Sequence, residues 1–322
     1  MQQGATRPRP GRASAGPRGW LVRFIDRHFR FGSLDLHWPD GQTTRHVGTE
    51  PGPAAEIHIH RWRVLRRLLL GGSVGLAEGY MAAEWDSPDL ASVIELGALH
   101  RRHALARPHV SAMVQRLVNR LRHRARSNSK PGSRRNIAYH YDLGNAFYAE
   151  WLDPTMTYSA AIFADGANSL ESAQLHKCRR LLDLLGAKPG DRVLEIGCGW
   201  GHFASIAARE RGLHVTAITL SHEQYAYAVA RIAAEGLEDK VDVRLVDYRD
   251  IDETFDHVVS VEMFEAVGEE YWPTFFAKLR EVLRPGGRAA LQIITIEDRL
   301  FDYYRRGVDF IQRYVFPGGM LP

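Results

Sequence analysis

Cysteine is almost absent: the 322 residues hold only Cys178 and Cys198, too few for a disulfide framework. A reducing, cytoplasmic location is the expectation that follows. Long hydrophobic runs are missing as well, and without eighteen consecutive apolar residues no transmembrane helix is expected. Residues 1–19 are rich in Arg, Pro, Gly and Ala and have no apolar centre. They read as a disordered basic tail and not as a secretory signal. His140 and Asp142 stand without a Cys or His cluster, so no metal site is expected.

What is present is ordinary for a globular chain, with 45% hydrophobic and 25% charged residues and enough length for two domains. The net charge of +4 hides an asymmetry. Residues 1–135 carry 23 Lys and Arg against 10 Asp and Glu; residues 136–322 carry 19 against 28. A basic first part beside an acidic second part points to an anionic partner for the first, either nucleic acid or an anionic membrane surface.

The chain divides into the tail (1–19), a basic accessory domain (20–126), a linker (127–135) and a larger domain (136–322). Residues 20–60 read as short strands and turns around Pro39-Asp40-Gly41, followed by helices over 61–81 and 89–99, a small α+β unit. Over 108–126, Val110, Met113, Val114, Leu117 and Leu121 share one helical face while five arginines add charge. Such a helix can lie on an anionic bilayer, or pack on its own domain with solvated arginines. From residue 170 onward, helices over 170–185, 203–211, 221–235 and 271–283 alternate with strands over 192–196, 214–220, 241–246, 257–261 and 288–296. That order predicts a doubly wound sheet with helices on both faces.

Within it, Val193-Leu194-Glu195-Ile196-Gly197-Cys198-Gly199-Trp200-Gly201 reads as a buried strand, a turn with alternate glycines, and a helix start. Glycine is required where backbone takes unusual dihedrals or approaches a ligand closely. The unit sets that ligand at the carboxyl end of a parallel sheet. The E-x-G-x-G-x-G spacing differs from the dinucleotide fingerprint and resembles motif I of S-adenosylmethionine (SAM) dependent methyltransferases. Cys198 fills a small-residue position in the turn and is not read as a nucleophile; Cys178 reads as helix packing.

Four further segments carry polar groups at sheet ends. Thr219-Leu220-Ser221 with Gln224 falls where a nucleotide ribose lies, although Ser221 and Gln224 also make an ordinary capping box. Asp247-Tyr248 can border an adenine, or form a solvated Asp/Arg turn with Arg249. Glu262 and Glu265 follow the fourth strand, where substrate meets cofactor, or serve as caps. Segments 139–145 and 152–159 are dense in aromatics and can cover a cofactor and line an apolar pocket.

Taken together, Tyr139-His140-Tyr141-Asp142-Leu143-Gly144-Asn145, Leu152-Asp153-Pro154, Met156-Thr157-Tyr158-Ser159, 195–201, Thr219-Leu220-Ser221, Met263-Phe264-Glu265 and Phe316-Pro317-Gly318-Gly319 resemble the cyclopropane-fatty-acyl-phospholipid synthase family, in order and at family spacing. The resemblance implies SAM-dependent methyl transfer to the cis double bond of a phospholipid acyl chain, giving a cyclopropane. It places Tyr158, Ser159, Gly197, Gly199, Thr219, Gln224 and Tyr248 against SAM, and Glu195, Cys198, Gly201, Leu220 and Asp247 on the same loops are cofactor-binding candidates with them. It makes Glu265, Tyr158 and His140 the candidate catalytic residues, and Glu265, Gln292 and Ile294 the candidates for holding a bicarbonate base. Two positions depart from the family: Ala160 stands where a cysteine is usual and Gln292 where a histidine is usual. Relatives that make methyl- or methylene-branched chains vary similarly, so a branched product is the alternative.

The resemblance also implies that the basic part meets an anionic phospholipid surface and not nucleic acid, with the protein peripheral to the inner membrane. A homodimer is compatible with it. Family members continue for several dozen residues and usually have seven strands where this sequence predicts five. A C-terminally truncated sheet is therefore expected, and an inactive SAM- or lipid-binding protein is the competing reading, with a small-molecule N-methyltransferase as a third.

Overall fold

The computed structural model describes residues 17–104, 128–141, 144–164 and 166–322. The amphipathic segment 108–126 and the motif residues Asp142 and Leu143 lie outside them. The chain forms two compact units, Met1–Val118 and Asn119–Pro322.

In the first unit, helix α1 (Pro17–His28) precedes strands β1 (Phe31–His37), β2 (Thr43–Val47) and β3 (Glu50–Ile59). Residues 17–28 are therefore helical where the tail and short strands were expected: Trp20, Leu21, Phe24 and Ile25 recur at helical spacing, and Leu21 and Ile25 pack on the unit's core. The Pro39-Asp40-Gly41 turn joins β1 to β2, with Gly41 N–H donating to the Trp38 carbonyl at 3.0 Å. Helix α2 (Arg63–Met81) bends at Gly72, whose φ of 55° and ψ of −138° leave the helical region. Strand β4 (Trp85–Asp86) and helix α3 (Leu90–Ala104) complete the unit. The sheet order is β2-β1-β3-β4, with β1 and β3 parallel and the outer pairs antiparallel. Leu36, Trp38, Ile59, Val64, Leu65 and Trp85 make its core.

The second unit opens with helix α4 (Lys130–Tyr141). Much of the stretch read as a linker is thus helical: Pro131 sits in the first turn, where a missing N–H costs nothing. The short helix α5 (Asn145–Ala149) and α6 (Leu170–Leu185) follow; α6 is capped by a Ser169–Ser172 box and ended by left-handed Gly186. The doubly wound series then runs β5 (Arg192–Ile196), α7 (His202–Arg211), β6 (His214–Thr219), α8 (His222–Ala234), β7 (Val241–Leu245), β8 (Phe255–Val261), α9 (Trp272–Val282) and β9 (Leu283–Gln292).

All neighbours pair in parallel, in the order β7-β6-β5-β8-β9. Consecutive connections run outward one way from β5 to β7, then return across it to β8. That reversal opens a crevice at the carboxyl ends of β5 and β8. Buried apolar residues on both faces explain why the central strands read as continuous apolar runs, with Leu181, Leu185 and Phe203 packing on one side and Phe255, Phe264 and Phe275 on the other.

Strand β9 differs from expectation at both ends. It starts at Leu283, incorporates Pro285-Gly286-Gly287 through a register shift against β8, and stops at Gln292. Ile294 therefore lies beyond the strand. Helix α10 (Asp298–Arg306) and a π-turn at Ile311–Val315 follow, and the last residues fold back: Ile296 N–H donates to the Pro322 carbonyl at 3.0 Å. No helix among the described residues is long and apolar enough to cross a membrane.

Candidate active site

The glycine turn after β5 takes its shape from backbone alone. Gly197, Gly199 and Gly201 have φ of 84°, 55° and 84°, values that side chains other than glycine rarely adopt. The N–H groups of Gly197 and Cys198 both donate to the Ile218 carbonyl, at 3.0 and 2.9 Å, which ties the turn to the end of β6. A Cβ on Gly199 would meet nothing within 4 Å, whereas on Gly197 it would lie 2.9 Å from Met263 Cγ and on Gly201 3.1 Å from Ala228 Cβ. Only Gly199 therefore leaves room beside the backbone. Gly201 caps α7, packs against Ala228 of α8, and is not among the residues lining the cavity.

Above the turn lies a cavity with about 1060 Å³ of empty space, the open solvent at its mouth included. It brings together Tyr158, Ser159, Glu195, Gly197, Cys198, Gly199, Thr219, Leu220, Gln224 and Tyr248, all expected from the sequence. Glu195 is 3% exposed, and its Oε2 has no hydrogen-bond partner among the described residues. Burial pushes its carboxyl up to about 8. Thr219 Oγ1 donates to Gln224 Oε1 at 2.8 Å, while Ser221 Oγ accepts from Gln224 N–H at 3.2 Å. Ser221 caps the helix, and Gln224 turns its side chain to Thr219 instead of completing a capping box. Tyr248 packs edge-on against Phe275 with centroids 5.5 Å apart; its hydroxyl has no partner among the described residues, and burial pushes it up to about 12.

Asp247 is 1% exposed and does not line the cavity. It is not a solvated turn: its carboxylate accepts from Arg249 at 2.6 and 2.8 Å, and Arg249 also donates to the Asn128 carbonyl at 2.9 Å. The pair fastens the start of α4 beside the sheet.

Several groups at the cavity escaped the sequence reading. Lys177 is 1% exposed on α6 and lines the cavity; its Nζ donates to Ser159 Oγ, and burial pushes its pKa down. Neighbouring Gln174 donates to the carbonyls of Ser159 and Thr157 at 2.7 and 3.2 Å. The signal for both was a polar residue at the buried phase of a helix, between Ala173 and Leu181. His202 also lines the cavity with Nε2 unpartnered among the described residues, and burial, reinforced by the Arg231 charge, pushes it down to about 4. Arg231 itself donates to the carbonyls of Thr155 and Trp200 at 2.9 and 3.0 Å and so clamps the 152–159 segment onto the glycine turn. Trp200, 2% exposed, stacks in a cluster with Tyr148 and Met156 that supports Tyr158.

The expected bicarbonate set divides in two. Glu265 Oε1 accepts from the Ile294 N–H, its Oε2 is unpartnered among the described residues, and burial pushes its carboxyl up. Gln292 turns elsewhere: its Nε2 donates to Glu262 Oε1 at 2.8 Å and to the Ala160 carbonyl at 3.1 Å. Glu262 Oε1 also accepts from Ala160 N–H at 2.9 Å, and Glu262 holds a left-handed φ of 49°. Glu262 lines the cavity; Glu265, Gln292 and Ile294 do not. Of His140, the structure gives only its place in α4, its side chain lying outside the described residues. Phe316 lines the cavity, and Met320 N–H donates to the Glu265 carbonyl at 2.8 Å, which brings the Phe316-Pro317-Gly318-Gly319 motif to this region.

The donors and acceptors fit SAM. The buried carboxyl of Glu195, with one oxygen unpartnered among the described residues, suits a cation, the open side of Gly199 suits close approach, and the Thr219–Gln224 pair suits ribose hydroxyls.

Known proteins agree. The family described as mycolic acid cyclopropane synthetase matches residues 128–322. The tuberculostearic acid methyltransferase UfaA1 of Mycobacterium tuberculosis is 40% identical over 96% of this chain and 72% of its own length. The cyclopropane-fatty-acyl-phospholipid synthase of Escherichia coli is 37% identical over 83% of this chain and 67% of its own. The crystal structure of the mycolic acid cyclopropane synthase CmaA1 complexed with SAH and CTAB is 32% identical and superposes with a TM-score of 0.54, covering 59% of this chain and 70% of that one. A sheet, a cavity and a motif set that agree with these proteins place the chain in the mycolic acid cyclopropane synthetase family of SAM-dependent methyltransferases.

Proposed function

We propose that the protein methylates the cis double bond of unsaturated phospholipid acyl chains, working at an anionic bilayer surface on the cytoplasmic side of the inner membrane. The observation that carries this is the composition of the cavity: beside the polar groups that suit SAM, its lining includes the apolar side chains of Ile137, Met156, Val261, Met263 and Phe316. That apolar lining suits an acyl chain and not a polar amine. The excess of Lys and Arg in residues 1–135 supports attraction to anionic headgroups.

When bound, SAM supplies an electrophilic methyl group on a sulfonium. An alkene is a weak nucleophile, so the chain's work is to align it and to keep water from the cation that forms when the C–C bond is made. Tyr158, wedged against Tyr148 and Trp151 with centroids 5.5 and 5.2 Å away, offers an aromatic face to that cation. A proton must then leave. Glu265, whose Oε2 has no partner among the described residues, is the acceptor we assign from the family resemblance, although its side chain lies outside the cavity lining. Gln292 and Ala160 do not converge with Glu265, so no step is drawn through bicarbonate.

Loss of the proton from the transferred carbon closes a cyclopropane; loss from a neighbouring chain carbon leaves a branched alkene. The engagement of Gln292 with Glu262 favours the branched outcome, as does similarity to a relative named for tuberculostearic acid. The test is methyl-labelled SAM with vesicles of oleoyl phosphatidylglycerol, followed by mass spectrometry of the released acyl chains before and after mild hydrogenation. Label is expected in the acyl chain, and among the labelled chains hydrogenation shifts the mass of the branched alkene and not that of the cyclopropane. SAM binding without label in lipid overturns the enzyme reading in favour of an inactive binder, and label in a soluble amine overturns the substrate.

A further inference from the structure

We propose that the first unit carries a divalent transition-metal site, best matched to Zn²⁺, formed by His37 on β1 and by Glu56 and His58 on β3. These strands pair in parallel with His37 opposite His58, and Glu56 precedes His58 by two residues, so all three side chains leave the same face of the sheet. The ligand atoms lie within 4.8 Å of one another. Glu56 Oε1 sits 2.9 Å from His37 Nε2 and 2.7 Å from His58 Nε2. Tetrahedral zinc with bonds of ~2.0–2.1 Å separates its ligands by roughly 3.3 Å. The two Nε2–Oε1 separations therefore need to open by about half an ångström to admit the ion.

The outer nitrogens are already oriented. His37 Nδ1 lies 3.0 Å from Thr43 Oγ1, and His58 Nδ1 faces Asp86 Oδ1 at 3.8 Å. Without an ion the Glu56 carboxylate accepts from Nε2–H of both rings. Metal binding moves those protons to Nδ1, where the Thr43 hydroxyl stands ready to accept one and the Asp86 carboxylate has to close on the other, as behind metal-bound histidine. Each ligand side chain is about two-fifths exposed, 41%, 43% and 41% for His37, Glu56 and His58. That leaves the fourth position to water and gives the ion a path in. Two imidazoles and one carboxylate match Zn²⁺ and not Mg²⁺ or Ca²⁺, which prefer all-oxygen shells. The linear sequence hides the site because His37 and Glu56 are 19 positions apart and only strand pairing joins them. An ion there clips β1 to β3 across the central pair of this sheet, without contribution to methyl transfer.

The test uses the full-length, tag-free protein stripped with chelator and dialysed. Zn²⁺ is titrated against a chromophoric chelator, and thermal unfolding of the first unit is followed with and without the ion. One equivalent of Zn²⁺ is expected to bind and to raise the unfolding temperature. Glu56→Gln, which keeps size and one hydrogen-bonding oxygen, is expected to weaken binding at least 100-fold, and His37→Ala/His58→Ala to abolish it. Thr43→Val, behind the ligands, is expected to weaken it about 10- to 100-fold. Unfolding of the stripped variants, compared with the stripped parent, shows whether any loss is misfolding. A zinc stoichiometry near zero in the parent, or affinity unchanged in the double variant, overturns the site.

Discussion

Gly197→Ala and Gly199→Ala separate two functions of one turn. Both positions hold a left-handed φ, 84° and 55°, so both alanines pay for backbone strain of roughly 1–2 kcal/mol. Only Gly197 meets a neighbour: its added Cβ would lie 2.9 Å from Met263 Cγ and 3.0 Å from Met263 Cβ. Displacing a packed side chain adds about 1–3 kcal/mol. The expected losses are therefore about 1–2 kcal/mol for Gly199→Ala and about 2–5 kcal/mol for Gly197→Ala. At ~2–4 °C per kcal/mol for a unit of this size, calorimetry without ligand should place the Gly197→Ala transition clearly below the other. Ligand binding should rank the opposite way relative to stability. The space beside Gly199 belongs to the cavity, and a methyl group there should weaken SAM binding at least tenfold by isothermal titration, about 1.4 kcal/mol. Equal transition temperatures for the two variants would refute the contact with Met263. Unchanged SAM affinity in Gly199→Ala would refute the placement of the ligand over the turn.

Other residues give sharper tests of single roles. The folded-state pKa of Glu195, raised to about 8 by burial, means that its neutral form is the one the fold favours. Its contribution to stability is complete below the ordinary carboxyl range and is lost as pH rises toward 8, so ligand-free stability should fall across that window and Glu195→Gln should flatten the dependence. A cationic ligand draws the same group into its charged form, so SAM binding near pH 7 should release a proton, detected as a buffer-dependent heat; no such dependence would remove Glu195 from the site. Glu265→Gln is expected to lower turnover at least 100-fold with SAM affinity nearly unchanged, and unchanged turnover would refute its role as proton acceptor. Glu262→Ala should release the exposed Ala160 N–H to solvent, cost about 0.5–1.5 kcal/mol, and speed hydrogen exchange at the Ala160 amide; protection equal to the parent would refute this contact.

The doubly wound sheet was legible because its signals are local. Apolar strands of parallel type, glycine at the β5 turn and Ser at helix starts each fix a short stretch of backbone, and the boundaries of β5 and α6 agree to the residue. Strand β9 was placed five residues late because Pro285-Gly286-Gly287 punctuates like a turn, whereas register slip against β8 absorbs it at the sheet edge. Helix α1 was hidden by charge on a short segment whose apolar residues gain their meaning only from the core they meet. The cavity residues supplied by the motif loops were found from sequence. Lys177 and His202 were not, since their significance comes from burial and from what faces them. Asp247 shows the converse: a conspicuous acid at the right loop is consumed by Arg249.

Glu262 joins three separate stretches of sequence through one carboxylate oxygen, which accepts from Ala160 N–H and Gln292 Nε2 while its own backbone stays in a left-handed conformation. Changes at such a position are not independent. Replacing the acceptor at 262 deprives both the Ala160 N–H and the Gln292 amide, and replacing Gln292 leaves Glu262 with the backbone donor alone. Divergence of this site must therefore proceed through paired substitutions, so single exchanges toward another family member's residues would report the mismatch between partners and not the properties of either active site.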